Sequence, residues 1–240
     1  MGITRTFPSF AANCPPCAPA PQACVSCTTN MPVQFTSIDE LVHEPQYAAQ
    51  DAPVAYIQRH LVNAAVKVAR DMKALTRKVT LDIQNGVRDY YVCPEDGERW
   101  HSVKSACICG RCIEFAEPPC CDSGCSCSLG RTASFEGPDK VLLAWAPEKD
   151  IPGGITLEMI ALPALGACRF DSQFVEVFGE AVQTKALAAM RRDKGGKEPN
   201  SWYDPALARE LDRYFENELM AQYKIDKATK YNAHQYGGPG

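Results

Sequence analysis

Apolar residues at Ile57, Leu61, Ala64, Ala65, Val68, Met72 and Leu75 recur every three or four positions, which puts them on one side of an α-helix. Asp51-Ala52-Pro53 supplies a start signal, so the pattern predicts a long helix ending near Thr76. A short helix precedes it: Ser37-Ile38-Asp39-Glu40 has the capping-box spacing, and Pro45 is expected to end that helix near Glu44. Further along, Phe174, Val175, Phe178, Val182, Leu187 and Met190 define a third helix, with Asp171 as N-cap and Gly195-Gly196 as its stop. Leu207, Leu211, Tyr214, Phe215, Leu219 and Tyr223 define a fourth, capped by Asp204 with Pro205 in its first turn. A short polar connection joins the last two, so they form a helical hairpin.

Between the two helical parts the period changes to two. Val79, Leu81 and Ile83 share one face, Asn85-Gly86 reads as a type I′ turn, and Val87 to Val92 is expected to return as the second strand of a hairpin. Trp100 to Phe115 reads as a further strand pair or a twisted ribbon, with Gly110-Arg111 as its turn. Lys140 to Trp145 and Ile155 to Leu162 flank Pro152-Gly153-Gly154 and close the β part. The order predicts an α+β fold: a four-helix-bundle-like core with a β-hairpin or β-sheet insertion between its N-terminal and C-terminal helix pairs. Its divisions are a Cys- and Pro-rich extended arm (1–35), N-terminal helices (36–76), a β insertion (77–169) with a Cys-rich loop (105–130), a C-terminal helical hairpin (170–231) and a flexible tail (232–240).

With 45% hydrophobic and 22% charged residues in 240, the chain can bury a sizeable core and is expected to be soluble. Its formal net charge of -4 and the lack of a long basic run speak against a dedicated nucleic-acid binder. Met1-Gly2-Ile3-Thr4-Arg5 lacks a signal-peptide pattern and no apolar run is long enough to span a bilayer, so neither secretion nor membrane insertion is expected. The 13 cysteines fall mainly into two clusters, which makes them local staples.

Cys14, Cys17, Cys24 and Cys27 form two Cys-x-x-Cys pairs whose thiolates suit a tetrahedral zinc site, although Pro15 and Pro16 remove amides on which such knuckles rely. Cys107, Cys109, Cys112, Cys120, Cys121, Cys125 and Cys127 crowd into the insert, where Cys107 and Cys109 share a strand face. Structural zinc and disulfides are open alternatives for both clusters, and free thiols a third for the N-terminal one. Cys93 and Cys168 read as small packed hydrophobes. His43, His60, His101 and His234 lack ligand or catalytic spacing, and no nucleophile–base arrangement can be assembled, so an enzyme is not expected. Arg191, Arg192, Lys194 and Lys197 form a basic knot suited to DNA phosphate, to acidic groups on a neighbour, or simply to a helix C-terminus. Trp202, Tyr203, Tyr214 and Phe215 read as core or subunit-interface anchors.

Several motifs in order resemble the head-to-tail connector (adaptor) proteins of tailed bacteriophages. They are Ile38-Asp39-Glu40-Leu41, Ala64-Ala65 in the long helix, the Asn85-Gly86 turn leading to Tyr90-Tyr91-Val92-Cys93-Pro94, and Val141 to Pro147. Phe170-Asp171 then opens a helix containing Ala181, Ala186 and Leu187, and the block Pro199 to Ala208 follows. The resemblance spans about residues 37 to 231. It departs at Lys185, where the family usually has a small glycine, and it does not include the Cys-rich arm or the Cys-rich insert. It implies a homo-oligomeric ring, commonly of twelve, at the head–tail junction of a virion assembled in the host cytoplasm. The ring would dock on the portal protein, extend the DNA channel without sequence specificity, and seat the next tail or nozzle protein. The C-terminal tail, with Lys224, Lys227, Lys230 and Tyr231, would engage the portal. The alternative reading is a zinc-binding adaptor or regulatory protein acting through its Cys-x-x-Cys arm.

Overall fold

The computed structural model describes residues 33–108, 111–113, 133–136, 139–194 and 201–225. In chain order the elements are β1 (Phe35–Ser37), α1 (Asp39–Ala48), α2 (Val54–Met72), β2 (Leu75–Ile83), β3 (Asp89–Tyr91), β4 (Glu98–Ile108) and β5 (Arg111–Ile113). They continue with β6 (Ala133–Glu136), β7 (Lys140–Leu143), β8 (Ile151–Pro163), β9 (Arg169–Asp171), α3 (Ser172–Arg192) and α4 (Pro205–Tyr214). Beyond α4 the helix passes through a π-helical stretch, Phe215–Leu219, and resumes as α-helix to residue 225. The fold is α+β, with a helix pair on either side of the β insertion. One continuous set of buried apolar side chains links α1, α2 and α3 to β2, β3, β7 and β8, so helices and insertion share a core.

Three helix termini differ from the sequence pattern. Pro45 does not end α1; the helix runs through it to Ala48. A proline there deprives the Leu41 carbonyl of its intrahelical donor. Gln183 Nε2 on α3 donates to that carbonyl at 3.2 Å, so a tertiary contact replaces the lost bond. At the front of α1 the cap is Ile38, and Ser37 Oγ accepts from the Asp39 amide at 3.2 Å, a tighter turn than the expected capping box. Helix α2 ends at Met72, one turn before Thr76, because Lys73 takes a left-handed conformation at φ 47°. Leu75 therefore opens β2, where it is as buried as it would have been on the helix.

The strands form a four-stranded sheet in the order β2-β8-β4-β5, a three-stranded sheet β3-β7-β6, and the β1-β9 pair that ties the chain ahead of α1 to the start of α3. All pairings are antiparallel. Val79, Leu81 and Ile83 face the core as the alternation predicts. The Asn85-Gly86 turn forms, with Gly86 at φ 73°, but it does not make a hairpin: β2 pairs with β8 and β3 with β7. The turn instead carries the chain from one sheet to the other, and the buried Tyr90 braces it, its hydroxyl accepting from Gln84 N and donating to Val87 O. The thirteen residues of β8 offer β2 a longer apolar partner than the three of β3 could.

Pro152-Gly153-Gly154 is a second correction, since these residues lie inside β8 rather than ahead of it. Between Leu81↔Ile155 and Ile83↔Ile151 the long strand bulges outward, with Gly153 at φ 60° and its amide donating to Asp82 at 2.6 Å. A Cβ on Gly154 would lie 2.6 Å from the Ile83 Cδ1 atom, so the bulge needs glycine there for space. The pairing of Trp100–Phe115 into a strand pair holds for β4 and β5, with Cys107 opposite Cys112, but Arg111 is already in the strand rather than in the turn.

Candidate functional site

The C-terminal hairpin is antiparallel: Asp204 N donates to Arg191 O, Lys185 meets Asp212, Tyr214 meets Glu180 and Phe178 meets Tyr223. Both expected caps form. Asp171 accepts from Phe174 N at 2.9 Å, and Asp204 accepts from Ala206 N and Leu207 N at 3.1 and 3.0 Å, with Pro205 in the first turn. Helix α3 stops at Arg192; the Gly195-Gly196 pair expected to stop it lies outside the described residues.

Phe215 is fully buried beneath Lys185, whose ammonium lies 5.0 Å above the ring and 2.8 Å from Asp212 Oδ1. Arg192 also pairs with Asp212. Burial, then the nearby Lys67 charge, hold the Lys185 amine below its ordinary value. Where the resemblance implies a small residue at this crossing, the chain uses a long one whose stem covers an aromatic ring. The π-helical stretch shifts the phase of the helix, so Met220 joins Leu219 in the core; Tyr214, ahead of that stretch, is 37% exposed. Sequence periodicity alone places Tyr214 in the stripe and omits Met220.

Trp202 and Tyr203 are half-buried at the base of the hairpin. Trp202 packs against Tyr56 of α2, which stacks edge-on with His60 at 4.5 Å and donates to Asp193 at 2.7 Å. Burial, reinforced by the Asp193 carboxylate, pushes the Tyr56 phenol up to about 12. Burial and Arg59 hold His60 below its ordinary value. Of the basic knot, Arg191 is committed within the fold: it donates to Ala48 O at 2.6 Å and Trp202 O at 3.1 Å, joining α1 to the hairpin. Arg192 and Lys194 are exposed, and Lys197 lies outside the described residues. Lys224 is exposed at the end of the described helix, and Lys227, Lys230 and Tyr231 lie beyond it, outside the described residues.

The outer side of the hairpin carries apolar surface. Val177 is 52% exposed and Ile225 64%, and a groove of about 540 Å³ runs between Glu180, Tyr214 and the helix from Asn217 to Ile225.

A buried ionic junction, not signalled by any motif, fixes the insertion to the helices. Arg77 at the start of β2 donates through Nε to Glu98 at 3.1 Å and through Nη2 to Asp171 at 2.7 Å, with a second contact from Nη2 to Glu98. Asp171 is also the α3 cap, so one guanidinium joins β2, β4 and the first turn of α3. Burial raises the Glu98 carboxyl above the ordinary carboxylate range, with Arg77 opposing it.

Cys14, Cys17, Cys24, Cys27, Cys109, Cys120, Cys121, Cys125 and Cys127 lie outside the described residues. Cys107 is half-buried on β4, with Cys112 opposite it in the β5 register. Cys93 and Cys168 are each disulfide-bonded, which corrects their reading as packed hydrophobes. Neither is a core position, since Cys93 is half-buried and Cys168 exposed. Their segments lie together, with Ala164 N donating to Gly97 O at 2.8 Å and Arg169 paired to Asp96. Among the described residues no three His, Cys, Asp or Glu side chains converge as a metal site, and no helix is long and apolar enough to cross a membrane. No protein-family model matches the chain, and no curated protein is found to be similar to it.

Proposed function

We propose that this chain is a head-to-tail connector (adaptor) of a tailed bacteriophage, a non-catalytic virion protein that works as a ring of identical subunits. The ring docks on the portal, continues the DNA channel, and offers its β insertion to the next tail component. The observation that carries this reading is the exposed apolar side of the hairpin, Tyr214 and Ile225 along an open groove with Val177 exposed elsewhere on α3, on a body whose helix pairs flank an insertion anchored to them. Covering a Val or Ile side chain contributes on the order of 1.5–3 kcal/mol when burial is complete. One such contact is weak, but a closed ring repeats it at every interface, and a portal that presents several sites adds avidity.

The C-terminal segment from Lys224 onward is the portal ligand in this reading. Deleting 224–240 is expected to abolish capture by the portal while leaving the thermal unfolding transition unchanged, because the core residues end at Met220 with Tyr223 packed against them. Capture of the truncated chain at undiminished affinity would overturn the assignment.

A further inference from the structure

Strand β2 is the outer strand of the four-stranded sheet: β8 pairs with one side of Leu75–Ile83, and no other described strand pairs with the other. An open edge nine residues long directs alternate N–H and C=O groups outward, the arrangement to which an extended peptide adds as a further strand. At its Leu75 end this edge borders a groove of about 240 Å³ whose other wall is Phe174, Val177 and Phe178 of α3. The edge offers hydrogen bonds and the helix offers an apolar seat, open because Val177 is half in solvent.

The rest of the chain indicates what covers this surface. Gln34 O accepts from Ser172 N at 2.9 Å, so residues 1–32 join the body at the start of α3, beside Asp171 and Gln173 of the groove. Within them Ile3-Thr4-Arg5-Thr6-Phe7 alternates in strand fashion, is rich in β-favouring types, contains no Gly or Pro, and is closed by Pro8. The stretch from there to Val33 carries Pro8, Pro15, Pro16, Pro19, Pro21 and Pro32, the composition of a semi-rigid extended spacer. Fully extended at about 3.1 Å per residue, a chain of this length would reach up to about 80 Å. A body of this size has a diameter of only about 40 Å. That reach is long enough for Ile3–Phe7 to meet the groove of a neighbouring copy.

We propose that Ile3–Phe7 of one copy adds as a strand to the free edge of β2 in a neighbouring copy, with Ile3 and Phe7 on the Val177–Phe178 side. The inference rests on the reading of the chain as self-associating, and it assigns the arm the task of linking subunits.

The test uses full-length protein with the photoreactive residue benzoylphenylalanine in place of Phe7. Light and heavy isotope-labelled copies are mixed in equal parts and irradiated at a concentration where the chain associates. Crosslinks from the residue 7 peptide of one isotope to residues 74–78 or 173–178 of the other are expected. Crosslinks confined to one isotope, or none to those segments, would overturn the proposal. In parallel, deleting residues 2–8 is expected to speed hydrogen exchange of the β2 amides about tenfold or more without altering the far-UV spectrum; unchanged exchange would also overturn it. A deletion variant that still forms portal-bound rings with unchanged β2 exchange removes the arm and leaves the connector reading. Exchanged arms in a chain that ignores the portal would remove the connector reading and leave the strand addition.

Discussion

Replacing Arg77 by Met keeps a side chain of similar length and removes the charge that holds two carboxylates in the junction. Glu98 is 8% and Asp171 7% exposed, so neither can recover its hydration by a small movement. A pair of unit charges about 4 Å apart gains roughly 4 kcal/mol at an effective dielectric of about 20, offset by desolvation of both partners. Removing only the cation leaves that desolvation uncompensated, and the expected cost of Arg77→Met is about 3–5 kcal/mol. That is a large part of the total of about 5–15 kcal/mol usual for a domain. The cost also has a pH signature. Glu98 has a raised folded-state pKa, so its contribution is fully present below the ordinary carboxylate value and is lost as pH rises through the raised one. Without Arg77, which opposes that rise, the folded pKa climbs further and the loss at neutral pH grows. Urea unfolding at about pH 7.5 and about pH 5 is the assay. Arg77→Met is expected to recover at least half of its lost stability at the lower pH, and Glu98→Gln to flatten the pH dependence over the same window. A variant within about 1 kcal/mol of the parent at neutral pH, or one equally impaired at both, would refute the reasoning.

Three further substitutions probe features that hold the same frame. Gly154→Ala would bring a Cβ to 2.6 Å from Ile83 Cδ1 and 3.0 Å from Ile151 O, and is expected to cost about 1–3 kcal/mol, partly relieved in the double variant with Ile83→Ala; chemical denaturation reads both. Gln183→Leu leaves the Leu41 carbonyl without its donor and is expected to cost about 1 kcal/mol, but less in a Pro45→Ala background, where the helix supplies its own amide; equal costs in both backgrounds would contradict this account of Pro45. Asp204→Ala removes two amide contacts at the front of α4 and is expected to cost about 1 kcal/mol, seen as a lower thermal midpoint, with Asp204→Asn largely preserving it.

Helix positions, both helix caps of the hairpin and the inward face of β2 were legible because each is set by local chemistry: a 3.6-residue period, a carboxylate next to free amides, or strict alternation. Strand partners were not. Asn85-Gly86 carries the signal of a two-residue hairpin whichever strand follows, and only the pairing of β2 with β8, a strand far along the chain, shows that the turn links two sheets. Pro45 misled for a related reason, since its missing amide is compensated by Gln183 from a helix far along the chain. The ionic junction gave no signal at all: Arg77, Glu98 and Asp171 share no spacing, and only the fold brings them together. Met220 lies outside the stripe that a 3.6-residue period predicts because a π-helical turn breaks that period. Of the residues read as core or subunit-interface anchors, Phe215 is fully buried, Trp202 and Tyr203 are half-buried and Tyr214 is exposed.

The central claim is that this chain closes into a ring on a phage portal. Native mass spectrometry of the full-length protein, alone and mixed with the portal protein of the same phage, tests it most directly. The account predicts monomers or weak oligomers alone and a single closed assembly, commonly of twelve copies in the family it resembles, bound to the portal. A chain that remains monomeric in the presence of its portal would contradict it.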